Sequence, residues 1–270
     1  MVFLHANGYP PACYAPLLGR LASECHVMAM LLRPLWPGSK PEGINSWDPL
    51  SSDLLRFLDE RGLSRVIAIG HSMGATVALR AALRAGNRFG ALILLDPVLL
   101  PRRIMLEWWL ARASGLGYLL HPKIRGSMRR RRRFDDLAPV FASYRQRPIF
   151  RYLADSGLRT FIDGMTRPLA QGGYELSYSP EWETRVYFTG IWNDWDLWRE
   201  MSGLGVPTLI IRGAESDTFW ESAARAVRNK NPLVEIATLD HATHLVPLER
   251  PAEVHELIHS FLLRVVTPVL

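Results

Sequence analysis

Gly70-His71-Ser72-Met73-Gly74 decides how this chain is read, because an apolar run, Val66-Ile67-Ala68-Ile69, enters it and a helix-forming run, Ala75 to Leu83, leaves it. The pattern G-x-S-x-G alone arises by chance in about one chain of this size in ten. Its flanks give it meaning: they read as a strand, a very tight turn and a helix, with Ser72 at the apex. Glycines two before and two after the serine let the turn close without Cβ clashes, which pushes the hydroxyl out above the sheet edge. The helix that follows aims its dipole and its free N–H groups at the space where an oxyanion would form. The bland alternative is a Gly-rich strand-to-helix connection with no chemistry.

On both sides of this turn, apolar strands alternate with helical spacing. Val2-Phe3-Leu4 ends in the turn-rich loop His5-Ala6-Asn7-Gly8-Tyr9-Pro10, and a helix is expected around Tyr14 to Ser23. Val27 to Leu32 reads as a buried strand, Trp47 to Arg61 as a helix and Ala91 to Leu95 as a strand. Thr208 to Ile211 and Val234 to Ala237 read as further strands, with helices over Trp220 to Arg228 and Ala252 to Val265. Such alternation implies an α/β fold, its mainly parallel sheet covered by helices on both faces. From Val98 to Arg199 the rhythm breaks into Arg-rich and Trp-rich helical stretches, including Trp108, Trp109, Trp182, Trp192, Trp195 and Trp198. Residues 98–199 are therefore expected to be an inserted helical lid on a core of 1–97 and 200–270. Most of those aromatics are expected to pack the lid itself.

Ser72 needs a base, and the base needs an orienting acid. His244 and Asp217 lie on loops after the last two expected strands of the sheet, at the same carboxyl edge as Ser72. The order Ser, Asp, His fits a strand-turn-helix nucleophile. His241 competes with His244, and the run into Pro247 and the closing helix favours His244. Asp96, at the tip of the strand after the turn, is the alternative acid, ranked behind Asp217 and ahead of Glu215. Any of the three acids also fits a helix cap or a turn brace. The N–H of Met73 and the loop carrying Asn7 are the expected oxyanion donors, with an Asn-Gly turn as the bland reading of the latter.

Composition narrows the classes. At 270 residues and 48% apolar content the chain can build a substantial core. No apolar stretch reaches the length of a membrane helix, and the start lacks the pattern of an export signal. Cys13 and Cys25 are few for a secreted scaffold and lack metal-ligand spacing, so a reduced cytoplasmic setting is expected, with no metal and no cofactor. The net charge of +6 is carried almost wholly by arginine. Arg125 and the run Arg129, Arg130, Arg131, Arg132 and Arg133 read first as the solvated face of a surface helix. A weak contact with an anionic surface is the second reading, and no nucleic-acid module surrounds the run.

Taken together these residues resemble the α/β-hydrolase fold superfamily, in particular its lidded serine hydrolases of the esterase, lipase and C–C hydrolase type. His5 to Pro10 looks like the family's oxyanion loop, Gly70 to Gly74 its nucleophile elbow, Gly213 to Asp217 its acid loop and His244 to Pro247 its histidine loop. The resemblance implies a carboxylesterase-like enzyme in which Ser72 attacks a small to medium apolar or aromatic ester and His244 moves the proton. C–C bond hydrolase, thioesterase, lactonase and perhydrolase run on the same triad, and a non-catalytic ligand-binding member of the fold is a further alternative. A serine at the elbow speaks against epoxide hydrolase and haloalkane dehalogenase, which use a carboxylate there. Ala6, His241 to Thr243 and Leu31 to Ser39 depart from the family pattern. The chain begins at the family's third strand, so the first hairpin is missing, about six strands are expected, and an exposed edge must be covered or paired.

Overall fold

The computed structural model describes residues 1–190 and 194–266; Trp192 lies outside them. The first half of the core runs β1 (Val2–Leu4), α1 (Ala15–Ala22), β2 (Met28–Met30), α2 (Asp48–Glu60), β3 (Val66–His71), α3 (Met73–Arg84) and β4 (Phe89–Leu95). A helix-rich segment follows: α4 (Arg102–Ala113), α5 (Gly117–Leu120), α6 (Pro122–Met128), β5 (Arg133–Phe134), α7 (Ala138–Arg145), α8 (Asp155–Met165), β6 (Thr166–Pro168), β7 (Tyr174–Leu176), α9 (Pro180–Thr189) and α10 (Asp194–Glu200). The chain returns to the core through β8 (Thr208–Gly213), α11 (Glu221–Lys230), β9 (Val234–Leu239), α12 (Val246–Glu249) and α13 (Pro251–Val265).

Six strands form one sheet in the order β2-β1-β3-β4-β8-β9, and every neighbouring pair is parallel. The two-residue period of a strand sends alternate side chains to opposite faces, and both faces are covered. Val2, Leu4, Ala68, Leu92, Leu94 and Ile210 join the core built with α2, α3 and α11. Phe3, Ile69, Ala91, Ile93, Leu209 and Ile211 join a second core with α1, α13 and parts of the helix-rich segment. That double burial is why the strands read as continuous apolar runs. The edge strand β2 is only three residues long, and so short an edge offers little template for pairing with another chain.

The helix-rich segment holds something that helical spacing did not reveal: β5, β7 and β6 form a small antiparallel sheet. Its β6–β7 turn contains Gly172 at φ +91° and Gly173 at φ +76°, conformations that cost glycine little. Long-range contacts fasten the segment to the core. The Trp47 indole donates to Val186 O at 3.1 Å, Gly164 of α8 leaves only 2.4 Å between a would-be Cβ and Cys13 N, and Arg80 reaches Asp194 at 2.5 Å. Asp194 is fully buried, which pushes its carboxyl up, while the Arg80 guanidinium opposes that shift.

Candidate active site

The turn after β3 closes under crowding that dictates its sequence. A Cβ on Gly70 would lie 2.4 Å from the Gly74 backbone, and one on Gly74 would lie 2.3 Å from Leu4 O. Only glycine fits at either place. Ser72 itself sits at φ +54° and ψ −116°, a sparsely populated conformation for a residue with a side chain. Its N–H donates to Leu95 O at 2.9 Å, and the surrounding sheet holds the strain.

His244 Nε2 lies 2.9 Å from Ser72 Oγ, and His244 Nδ1 lies 2.6 Å from Asp96 Oδ2. An ionised carboxylate only accepts, so Nδ1 carries the proton and Nε2 is left to accept from the serine hydroxyl. Asp96 is fully buried at the end of β4, at φ +43°, and also accepts the Ser216 hydroxyl at 2.5 Å. The acid ranked first from sequence, Asp217, is not the one that bonds the histidine. Ser216 Oγ accepts the N–H groups of Thr218 and Phe219, and Asp217 instead takes the Thr218 hydroxyl and faces Lys123 at 3.6 Å. Burial works to raise the Asp217 carboxyl, but Lys123 and His244 together bring it below its usual range. Glu215 is exposed and engaged with Tyr152 and Arg151, and His241 is exposed with its ring edge toward Tyr152.

A second line of hydrogen bonds runs beneath these residues. Ala6 N–H donates to the Tyr14 hydroxyl at 3.2 Å, Tyr14 donates to His71 Nδ1 at 2.7 Å, and His71 Nε2–H donates to His244 O at 2.8 Å. The direction is forced, because a carbonyl can only accept. Burial, with the nearby His244, pushes the His71 imidazole well below its usual range and keeps it neutral. From the other side, Glu249 accepts the Thr243 N–H at 2.7 Å and the Thr243 hydroxyl at 2.8 Å. The histidine loop is therefore pinned on both flanks.

Asn7 does not aim its amide at Ser72. Its Nδ2 donates to Glu183 O at 3.0 Å and its Oδ1 accepts the Tyr178 hydroxyl at 2.8 Å. The expected oxyanion donors are then the loop carrying Asn7 and Met73, whose N–H belongs to the first turn of α3, where N–H groups lack intrahelical partners. Both residues line a cavity of 1270 Å³ that also contains Ser72 and His244. Trp108, Tyr144, Phe150 and Phe161 form part of its apolar wall.

The five-arginine run is not one solvated helix face. It spans the connection from α6 to β5, and Arg130 turns inward to pair with the buried Glu183 at 2.7 Å, with Tyr144 at 3.3 Å. Among the described residues no cluster of His, Cys, Asp or Glu could hold a metal ion, and no helix is long and apolar enough to cross a membrane.

The model of the alpha/beta hydrolase family matches residues 1–257. The chain belongs to the alpha/beta hydrolase family. This hydrolase is 28% identical to Epoxide hydrolase A of Mycobacterium tuberculosis (strain ATCC 25618 / H37Rv) over 296 residues, covering 97% of this chain and 90% of that protein. Among solved structures it is similar to E-2-(acetamidomethylene)succinate hydrolase, with a TM-score of 0.77, 19% identity and coverage of 97% and 90% of the two chains. An M. tuberculosis esterase superposes with a TM-score of 0.72 at 20% identity, over 97% of this chain and 84% of that one.

His71, Tyr14, Ser216, Glu183 and Glu249 were missed in the sequence. The first stands next to the elbow serine and was readable as its neighbour. The rest bond through pairings of distant elements that no local pattern announces.

Proposed function

We propose that this hydrolase cleaves a carboxylic ester through an acyl-enzyme on Ser72, with His244 as the base and Asp96 as the orienting acid. The observation that carries the proposal is the unbroken line from Ser72 Oγ through His244 to Asp96, at 2.9 and 2.6 Å. In the first half-reaction His244 Nε2 takes the hydroxyl proton while Oγ attacks the acyl carbon. The N–H groups of Met73 and Asn7 receive the oxyanion, and the proton on His244 passes to the leaving alcohol. Water, deprotonated by the same nitrogen, then attacks the acyl-enzyme, releasing the acid and restoring Ser72. Asp96 keeps the proton on Nδ1 and stabilises the imidazolium that forms at each attack.

Similarity to an epoxide hydrolase raises a second chemistry, and the elbow residue weighs against it. Opening an epoxide with Ser72 would leave an alkyl ether on the enzyme, which has no carbonyl for water to attack. A carboxylate nucleophile avoids that dead end by forming an ester. The reading is therefore acyl chemistry, with residues 98–199 acting as a lid over the cavity. Its volume of 1270 Å³ exceeds the range of about 300–1,000 Å³ common for ligand pockets, which favours the larger end of the expected substrate range. Cys13 and Cys25 are both free thiols, in keeping with a reduced cytoplasmic setting.

A panel of p-nitrophenyl esters of graded chain length, with a thioester, a lactone and styrene oxide alongside, tests this reading. Ester turnover that disappears in Ser72→Ala is expected. Turnover of the epoxide alone, undiminished in Ser72→Ala, would overturn it.

A further inference from the structure

Eight of the thirteen exposed large apolar side chains among the described residues fall between Leu106 and Met128. They are not scattered. In α4, Leu106, Trp109 and Leu110 are spaced three and four apart on one outward face, 50%, 43% and 54% exposed, while Met105 and Trp108 bury the opposite face. Contiguous exposed apolar side chains on a helix mark a surface that another body covers. On the helices packed next in turn, Leu119 of α5 and Met128 at the end of α6 are 67% and 64% exposed.

Charge says what covers it. From Pro101 to Phe134 the only carboxylate is Glu107, against Arg102, Arg103, Arg112, Lys123, Arg125 and Arg129 to Arg133. This local excess is larger than the +6 of the whole chain. Part of it is answered within the protein, since Arg103, Lys123 and Arg130 to Arg133 pair with carboxylates. Arg102, Arg125 and Arg129 pair with none among the described residues. A protein partner would need a large apolar patch rimmed by acids, whereas an anionic bilayer supplies both a hydrocarbon layer and phosphate charge in one plane.

We propose that the outer face of α4, α5 and α6 seats this protein on an anionic lipid surface, with Leu106, Trp109, Leu110 and Leu119 entering the headgroup layer and Arg102 and Arg125 meeting lipid phosphates. The inner sides of the same helices, through Ile104, Trp108 and Leu120, line the cavity. Seating this face sets the cavity beside the bilayer. The proposal concerns binding and holds whether or not Ser72 is the nucleophile.

Co-sedimentation of the full chain with vesicles of phosphatidylcholine alone, or with about one third phosphatidylglycerol, tests it at low and high salt. Binding to the anionic vesicles is expected to be at least about tenfold stronger and to weaken with salt. The Leu106→Glu, Leu110→Glu, Leu119→Glu triple variant and Arg125→Glu should each lose it. None of these side chains lines the cavity, so turnover of a water-soluble ester should be unchanged. The single Leu119→Glu variant repeats the test at the most exposed position should the triple variant fold poorly. Equal binding to both vesicle types, undiminished binding by Leu119→Glu, or a dimer in solution that Leu119→Glu dissociates would overturn the proposal, the last by making the face a contact between copies.

Discussion

At the scale of single residues, the choice between Asp96 and Asp217 separates what sequence order tells from what geometry tells. Both carboxylates follow sheet strands and both loops reach the same edge, so spacing alone left them open. What decides is adjacency in the sheet, because β4 lies directly beside β3 and places Asp96 next to the elbow. Asp96→Asn should reduce kcat by about 10⁴ by setting the wrong His244 tautomer, whereas Asp217→Asn should stay within about tenfold. Steady-state kinetics on one ester measures both, and equal losses would refute the assignment. The Tyr14 to His71 line gives a second residue-level expectation. Tyr14→Phe strips His71 Nδ1 and Ala6 N–H of their partner in a fully buried place. It should cost about 1–3 kcal/mol of stability and lower kcat more than it changes KM, because His71 supports the His244 loop through its carbonyl. An unaltered melting temperature and kcat would remove that role.

At the scale of elements, the strand-turn-helix around Ser72 was legible because its glycines answer a local need. The histidine loop has the same logic at longer range: a Cβ on Gly213 at the end of β8 would lie 2.3 Å from Thr243 O. Gly213→Ala should therefore push the His244 loop away from Ser72. The expected result is a large loss of activity with a lowered melting temperature, while Gly203→Ala, where a Cβ meets open space, should leave both near wild type. Indistinguishable behaviour of the two variants would contradict the packing argument. The elements of the core were readable because doubly buried strands are continuous apolar runs and amphipathic helices repeat at their own period. The small sheet β5-β7-β6 was not, since its strands are two or three residues long and partly polar. The Gly172-Gly173 pair was the one signal of its hairpin. Arg130 illustrates the opposite failure, a charge run read as uniform in which one member turns inward to a buried glutamate.

At the scale of the whole molecule, buried histidines make stability depend on pH. Burial lowers the His5 imidazole from 6.5 to about 4, and burial with the nearby Lys123 does the same for His121. His71 is pushed lower still. In the unfolded chain these rings take up protons first, so stability is fully present above about pH 6.5 and is lost as pH falls toward about 4. For His5 alone the shift corresponds to roughly 3 kcal/mol. Asp194 and Glu249, whose carboxyls burial raises, work in the other direction. Urea unfolding should give a clearly lower midpoint at about pH 5 than at about pH 7.5, and an unchanged midpoint would contradict the neutral burial of these rings.

In the proposed function the whole arrangement presents one hydroxyl, that of Ser72. The most direct test of that claim is intact-mass measurement after incubating folded protein with a fluorophosphonate at neutral pH, followed by peptide mapping. One adduct on Ser72 is expected, lost in Ser72→Ala and strongly slowed in His244→Ala and Asp96→Asn. No adduct on the folded protein, or an adduct that survives Ser72→Ala, would contradict the account.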